Sequence, residues 1–334
     1  MEKVKIGVVG LGWVAQVIHL PILMKLADAE VVSVCDRDRS KARLVAEKFG
    51  VKRVYYDVQQ MLENEDIGAV IIATSTDAHK DTAIACLKAG KDVLVEKPIA
   101  RTYNEAVAVA EAARESKRKL MVGMNHRFRP DTMILKSFIE ADELGKVFYT
   151  RAGWLKKRTT DSAWATQKEK SGGGVFLDLG IVILDMALWM MGYPDVKRVS
   201  ALEFKHKTRQ VEDTSLVAIN LKNGSRIQIE VSWAMCVEDD VYFCHVFGTD
   251  GSASLNPLRI NKELNGTVAN LAPAKIEAPQ HLFKRSYENE LKHFIGAVRN
   301  LHPVISPADE AVQRMKIVEA IYKSSRLGKE VSLP

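Results

Sequence analysis

The chain has 334 residues, 47% of them hydrophobic and 27% charged, with a formal net charge of +6. This length predicts two domains with a real core, and so ordinary a composition excludes fibrous and disordered classes. The positive charge is mild and spread along the chain, which suits an anionic small molecule or cofactor and makes no case for nucleic acid.

Residues 1–123 alternate short β-branched runs with amphipathic segments. Strands are predicted over residues 4–9, 30–35, 69–73, 92–95 and 120–122, and helices over 40–49, 81–89 and 104–115. This alternation implies βαβ units and a parallel, doubly wound sheet, the Rossmann class of α/β fold. After about Arg129 the pattern changes. A helix over 132–140 leads to an extended stretch over 146–154 and a polar, lysine-rich segment over 156–170. Ser171-Gly172-Gly173-Gly174 then opens a long apolar helix over 175–191. Strands follow directly on one another over 196–204, 214–221, 225–232, 241–247 and 252–255, with Lys222-Asn223-Gly224 and Thr249-Asp250-Gly251 as turn signals. Residues 124–334 therefore read as an α+β substrate-binding and oligomerisation domain, with a large open, mostly antiparallel sheet. Helices over 285–300 and 307–326 close the chain.

Cys35, Cys86, Cys236 and Cys244 lack metal-like spacing, and no metal site is expected. Cys236 and Cys244 could face each other across a hairpin, but reduced thiols are favoured. Met1-Glu2-Lys3-Val4 runs straight into a strand, so no signal peptide is expected. No apolar stretch reads as long enough to span a bilayer without charges. A cytoplasmic protein without a membrane partner is the resulting expectation.

The first strand runs into Gly10-Leu11-Gly12-Trp13-Val14-Ala15, a G-x-G-x-x-A turn opening a helix. Gly10 permits the tight turn, Gly12 lets backbone approach a pyrophosphate, and Ala15 allows helix and strand to pack closely. The helix start offers free N–H groups and a positive dipole end to the phosphates. Asp36, ending the second strand, stands where a carboxylate accepts from the adenosine ribose hydroxyls. It would repel a 2′-phosphate, which favours NAD. Arg37 could stack on adenine or pair with such a phosphate, which leaves NADP open.

Lys97 is the first candidate for catalysis. It ends the buried strand Asp92-Val93-Leu94-Val95-Glu96, with Pro98 behind it, at the carboxyl edge where open α/β sheets place ligands. Burial there would lower a lysine's pKa toward acid/base use.

Together with further motifs, these residues make the chain resemble the glucose–fructose oxidoreductase/inositol dehydrogenase (Gfo/Idh/MocA) family nearly end to end. The matching motifs are Glu96-Lys97-Pro98, Ala73-Thr74-Ser75-Thr76-Asp77-Ala78-His79, Asn125-His126-Arg127-Phe128-Arg129-Pro130, the triple glycine and Phe247-Gly248-Thr249-Asp250-Gly251-Ser252. The resemblance implies NAD(P)-dependent oxidation or reduction of a hydroxyl or carbonyl on a sugar, inositol or related polyol. It implies a homodimer or homotetramer through the C-terminal sheet. It places Lys97 beside nicotinamide and substrate. It adds Thr74, Ser75, Thr76, His79, Glu96 and Asn125 to the cofactor site begun by Gly10, Gly12, Trp13, Val14, Ala15, Asp36 and Arg37.

The family's D-x-G-x-H-x-x-D on the helix after the triple glycine reads here Asp178-Leu179-Gly180-Ile181-Val182-Ile183-Leu184-Asp185. Asp178 is therefore the expected catalytic or substrate-binding partner of Lys97, and Asp185 is expected to be structural. Val182 replaces the usual acid/base histidine, and Ser75 replaces the usual proline of the cofactor loop. His126 is weighed as a substitute proton carrier, with Arg127 beside it as a substrate contact. Trp154, Lys156 and Arg158 would suit an anionic substrate, such as a uronic acid or phosphorylated sugar, if their segment covers the site. Trp233 either stacks on a sugar face or fills the sheet. Val182 also gives weight to a second reading, a non-catalytic dinucleotide-binding regulator; a third is a redox-neutral enzyme with tightly held NAD, whose relatives carry a second-domain motif not found in this sequence.

Overall fold

The computed structural model describes residues 3–156, 164–274 and 279–333. The chain forms two compact units, Met1–Asn125 with Tyr287–Val312, and His126–Ser286 with Gln313–Pro334. Sequence order alone groups residues 287–312 with the second half. Their hydrogen bonding explains the difference, since Val122 N donates to Ser306 O at 2.9 Å and Arg299 Nη1 donates to Asp28 Oδ2 at 2.7 Å.

The first unit is built on strands β1 (Val4–Val9), β2 (Ala29–Cys35), β3 (Arg53–Tyr55), β4 (Ala69–Ile72), β5 (Asp92–Glu96) and β6 (Leu120–Gly123). Their order is β3-β2-β1-β4-β5-β6, and every neighbouring pair is parallel. Strands β4, β5 and β6 are buried at every residue, as expected of parallel strands covered on both faces. The order reverses direction between β1 and β4, so the carboxyl ends of these two strands flank the crevice where such sheets bind ligands.

Helix α1 begins with a wide π-type turn, Ala15–His19, and continues as Leu20–Leu23. Helices α2 (Arg39–Phe49), α3 (Val58–Asn64), α4 (Thr76–Lys88) and α5 (Tyr103–Ser116) follow. Their starts follow capping chemistry: Asp38, Asp57 and Thr102 accept from the N–H groups of Lys41, Gln60 and Glu105. Strand β3 and helix α3 escape sequence reading because three residues, none of them buried, and seven helical ones carry too little periodicity.

In the second unit, α6 (Pro130–Glu140) and β7 (Val147–Leu155) are followed by α7 (Lys168–Ser171). Helix α8 opens with another π-type turn, Phe176–Gly180, and runs on as Ile181–Met190. Strands β8 (Val196–Phe204), β9 (Thr214–Leu221), β10 (Arg226–Ser232), β11 (Val241–Gly248), β12 (Gly251–Leu255), β13 (Arg259–Leu264), β14 (Thr267–Asn270) and β15 (Val331–Ser332) complete the sheet. Its order is β14-β13-β12-β11-β7-β10-β9-β8-β15, antiparallel except for the parallel pair β7–β10. The open, mostly antiparallel sheet expected from sequence is thus present, and β13 to β15 extend its two ends.

One face of this sheet is buried. Helix α8 packs on β7 and β10 there, and is itself buried at nearly every position. Residues 168–190 are long and apolar enough by composition to cross a membrane, although Asp178 and Asp185 interrupt them. With 89% of its most apolar stretch buried inside the fold, this segment has the apolarity of a core helix. The closing helices are α9 (Pro279–Val298) and α10 (Ala308–Leu327).

Candidate active site

In the first unit, the turn after β1 has the shape its glycines predict. Gly10 has φ +86°, and a Cβ there would come within 2.5 Å of Thr74 N and 2.6 Å of Ala73 C, so backbone replaces side chain at this contact. A Cβ at Gly12 would meet nothing within 4 Å, so this face of the turn is open to a ligand. Ala15 is fully buried, whereas Trp13 is 64% exposed. The start of α1 carries neither a side-chain cap nor an acidic residue in its first turn, and although Gln16 N donates to Gly12 O, no carboxylate on this turn opposes an anion there. These features fit a dinucleotide pyrophosphate.

Asp36 braces the same turn. Its Oδ2 accepts from Leu11 N at 2.8 Å and pairs with Lys41 Nζ at 2.9 Å, while Oδ1 accepts from Asp38 N at 2.9 Å. Arg37 is exposed beside it.

At the carboxyl end of β5, Lys97 is half-buried, so the buried lysine expected from sequence is a lysine on the rim of a buried strand. The group that is buried is its neighbour. Glu96 Oε1 lies 2.8 Å from Nε2 of fully buried His19, and Gly123 leaves room for Oε2, which would stand 3.2 Å from a Cβ there. Burial pushes the Glu96 carboxyl up; the His19 hydrogen bond, with the Lys97 charge adding to it, brings it below the usual glutamate range. His79 joins two loops, with Nδ1 2.7 Å from Pro98 O and Nε2 3.1 Å from Thr74 O. Burial pushes its pKa down against the pull of both carbonyls, so a neutral ring donates to one of them at a time. Of the cofactor-loop residues, Thr76 and Asn125 are buried, and Ser75 is the residue preceding α4.

In the second unit, Asp178 lies on the π-type turn that opens α8, a widening common at functional positions. Trp233 is 1% exposed, and its Nε1–H donates to Asp178 Oδ2 at 3.2 Å. It therefore fills the interior and touches the carboxylate with its polar edge, which removes it as a stacking platform. Val182 is 4% exposed, and its position contributes no proton carrier.

Asp185 is structural, as expected. It accepts from Arg127 Nε at 2.8 Å, Arg127 Nη2 at 2.5 Å and Arg314 Nη1 at 2.5 Å, with the Tyr193 hydroxyl also on Oδ1. Burial pushes its carboxyl up, and the two guanidiniums hold it below the usual range. Arg127 is fully buried, with Asp185 and Tyr193 taking up its fork, so it is not placed as the substrate contact expected from its motif.

His126 is packed between Trp154 and Tyr242, with ring centroids 5.1 and 5.0 Å away. That aromatic enclosure gives it a packing role in place of the proton transfer weighed from sequence. Lys156 Nζ lies 5.1 Å from the Trp154 ring centroid, and Arg158 lies outside the described residues. Sequence reading missed His19 and Glu212. The only local signals were the His19-Leu20-Pro21 step after the fingerprint and the acidic Glu212-Asp213 pair before β9.

Comparison with known proteins matches residues 4–124 to the Gfo/Idh/MocA model described as an oxidoreductase family with an NAD-binding Rossmann fold. Residues 136–333 match the same family's C-terminal alpha/beta domain. The chain is 30% identical to D-glucoside 3-dehydrogenase of Escherichia coli (strain K12), covering 99% of this chain and 98% of that one. It is 28% identical to scyllo-inositol 2-dehydrogenase (NAD(+)) of Bacillus subtilis (strain 168), over 99% and 97%. Among solved structures it is similar to GenD2 from gentamicin A biosynthesis in complex with NAD, with 26% identity, a TM-score of 0.87, and 100% and 97% coverage.

Proposed function

The chain belongs to the Gfo/Idh/MocA oxidoreductase family, and from that premise we propose that Lys97 and Asp178 carry out its chemistry on a sugar, inositol or related polyol. It is an NAD(P)-dependent dehydrogenase acting on CH–OH groups, with NAD as its cofactor. The observation that carries the residue assignment is Glu96-Lys97-Pro98 standing at the carboxyl end of β5, next to the β4–α4 turn in a sheet of Rossmann order.

The cofactor is held by Gly10, Gly12, Trp13, Val14 and Ala15 at its pyrophosphate, and by Asp36 and Arg37 at the adenosine end. Thr74, Ser75, Thr76, His79, Glu96 and Asn125 serve the remaining contacts. Bound NAD supplies hydride exchange with the substrate carbon. Lys97 Nζ takes the hydroxyl proton and stabilises charge developing on the oxygen, with Asp178 as the second group. Trp154 and Lys156 supply a cationic aromatic edge suited to an anionic substituent. A small-molecule substrate, without nucleic-acid or membrane partners, completes this reading, and four free cysteines support a reducing compartment such as the cytoplasm.

Homodimers or homotetramers form through the open face of the second unit's sheet. Leu202 and Leu216 face each other across β8 and β9, with Leu202 58% exposed, and Tyr149 stacks on Phe247 on the same sheet. Leu202→Lys should then lower the mass measured by light scattering.

Turnover is tested by NADH absorbance with methyl β-D-glucoside, myo-inositol, scyllo-inositol and levoglucosan. Lys97→Ala should abolish turnover with the NAD dissociation constant unchanged, and near-normal turnover overturns the assignment. The buried Val182 is what favours a second reading, a dinucleotide-binding regulator. NAD binding without NADH formation across the panel would select it. Tightly bound NAD that never accumulates as NADH would select the redox-neutral enzyme.

A further inference from the structure

Asp178 is one carboxylate on a glycine-flanked, widened helical turn, where backbone freedom would ordinarily let it wander. Two consecutive residues far away in sequence prevent this. Glu212 Oε1 accepts from Gly174 N at 2.9 Å, Phe176 N at 3.0 Å and Tyr322 Oη at 2.9 Å, and its backbone oxygen accepts from Val175 N at 2.9 Å. The next residue, Asp213, offers its backbone oxygen to Trp233 N at 2.8 Å. Trp233 in turn donates from its indole Nε1 to Asp178 Oδ2.

The glycines have a local reason in the same arrangement. A Cβ on Gly173 would collide with the Tyr322 hydroxyl, and one on Gly174 with the Glu212 backbone oxygen. The triple glycine thus lets Glu212 and Tyr322 reach the start of α8.

From this we infer that Glu212 and Trp233 are positioning residues that aim Asp178, Glu212 by clamping the turn beneath it and Trp233 by holding its carboxylate directly. The inference rests on the reading of Asp178 as the group that serves the reaction. A hydrogen bond to a charged acceptor is strong enough for its loss to be read as a change in rate. The clamp predicts an effect on kcat without one on cofactor binding, since all of its contacts lie within the second unit.

The test has two arms. In the first, ¹H–¹⁵N spectra of the full chain identify the Trp233 indole resonance as the one lost in Trp233→Phe. Asp178→Ala should move that resonance, and an unmoved one overturns the contact. In the second, with the fastest substrate of the four named above, Trp233→Phe should lower kcat about tenfold, keep KM within about threefold and leave the NAD dissociation constant unchanged. Combined with Asp178→Ala it should add nothing further, because a residue acting through Asp178 has nothing left to aim. Multiplicative losses overturn the proposal. Glu212→Gln should also lower kcat at unchanged NAD affinity, and wild-type kcat removes Glu212 from the clamp. If the wild-type protein turns over none of the four compounds, the substrate reading fails and the spectroscopic arm still decides the clamp.

Discussion

Glu96 and His19 form a buried pair, Oε1 to Nε2 at 2.8 Å, directly behind the lysine proposed for catalysis. His19 Nδ1 has no hydrogen-bond partner among the described residues, and Tyr287 meets the ring edge-on at 6.0 Å. The ring is thus enclosed, and Glu96 is buried with it. Replacing His19 by Leu keeps the volume and strands a buried carboxylate, which should cost about 3–5 kcal/mol in denaturant unfolding at neutral pH. With His19 present the folded Glu96 pKa is below its unfolded value, so the pair's stabilisation exists above the unfolded pKa and fades as pH falls through the folded one. The deficit of His19→Leu should therefore shrink in acid. A loss below about 1 kcal/mol would mean that water satisfies Glu96 in place of His19.

Asp185 should be the most costly single acid to neutralise in the second unit. Asp185→Asn leaves the buried guanidiniums of Arg127 and Arg314 facing a neutral amide, a loss of about 3–5 kcal/mol. Thermal unfolding would register it as a large fall in Tm at pH 7. Retention of wild-type Tm would show that the network relaxes around the amide.

Glu203 should make the protein less stable as pH rises. Burial raises its pKa to about 7, with the charge of Glu212 adding to the effect. The folded pKa exceeds the unfolded one, so stability is full below the usual carboxylate range and declines as pH rises through about 7. Glu203→Gln should gain on the order of 1–2 kcal/mol at pH 8, after allowing for partial exposure, and nothing at pH 4. Equal stability of the two proteins at pH 8 would contradict this.

Gly10 offers the sharpest test of the cofactor turn. Gly10→Ala forces a left-handed φ of +86° on a residue whose Cβ meets the Ala73–Thr74 backbone. Strain alone costs about 1–3 kcal/mol. The NAD dissociation constant should rise at least about tenfold, and an unchanged value would place the pyrophosphate elsewhere.

The first unit was largely legible before folding. The ends of β1, β2, β4, β5 and β6 fall within one residue of those read from the alternation of apolar runs, because each strand is bracketed by a turn or helix of different period. Gly10, Gly12 and Ala15 were readable because their demands are local: one φ, one open face, one close packing. The two π-type turns were not, since a single widened turn leaves the surrounding helical pattern intact.

The sequence by itself determined the family, the cofactor class, the strand-end lysine and the loss of histidine at Val182, because these depend on residue identity and short spacing. Only the tertiary structure decided what surrounds them. It gave Glu96 its partner 77 positions away in His19, committed Arg127 to Asp185, enclosed His126 among aromatic rings and set Trp233 against Asp178, 55 positions distant. Such pairings form when distant elements bury polar groups together and each must then find a partner, a constraint that no local pattern of residues records.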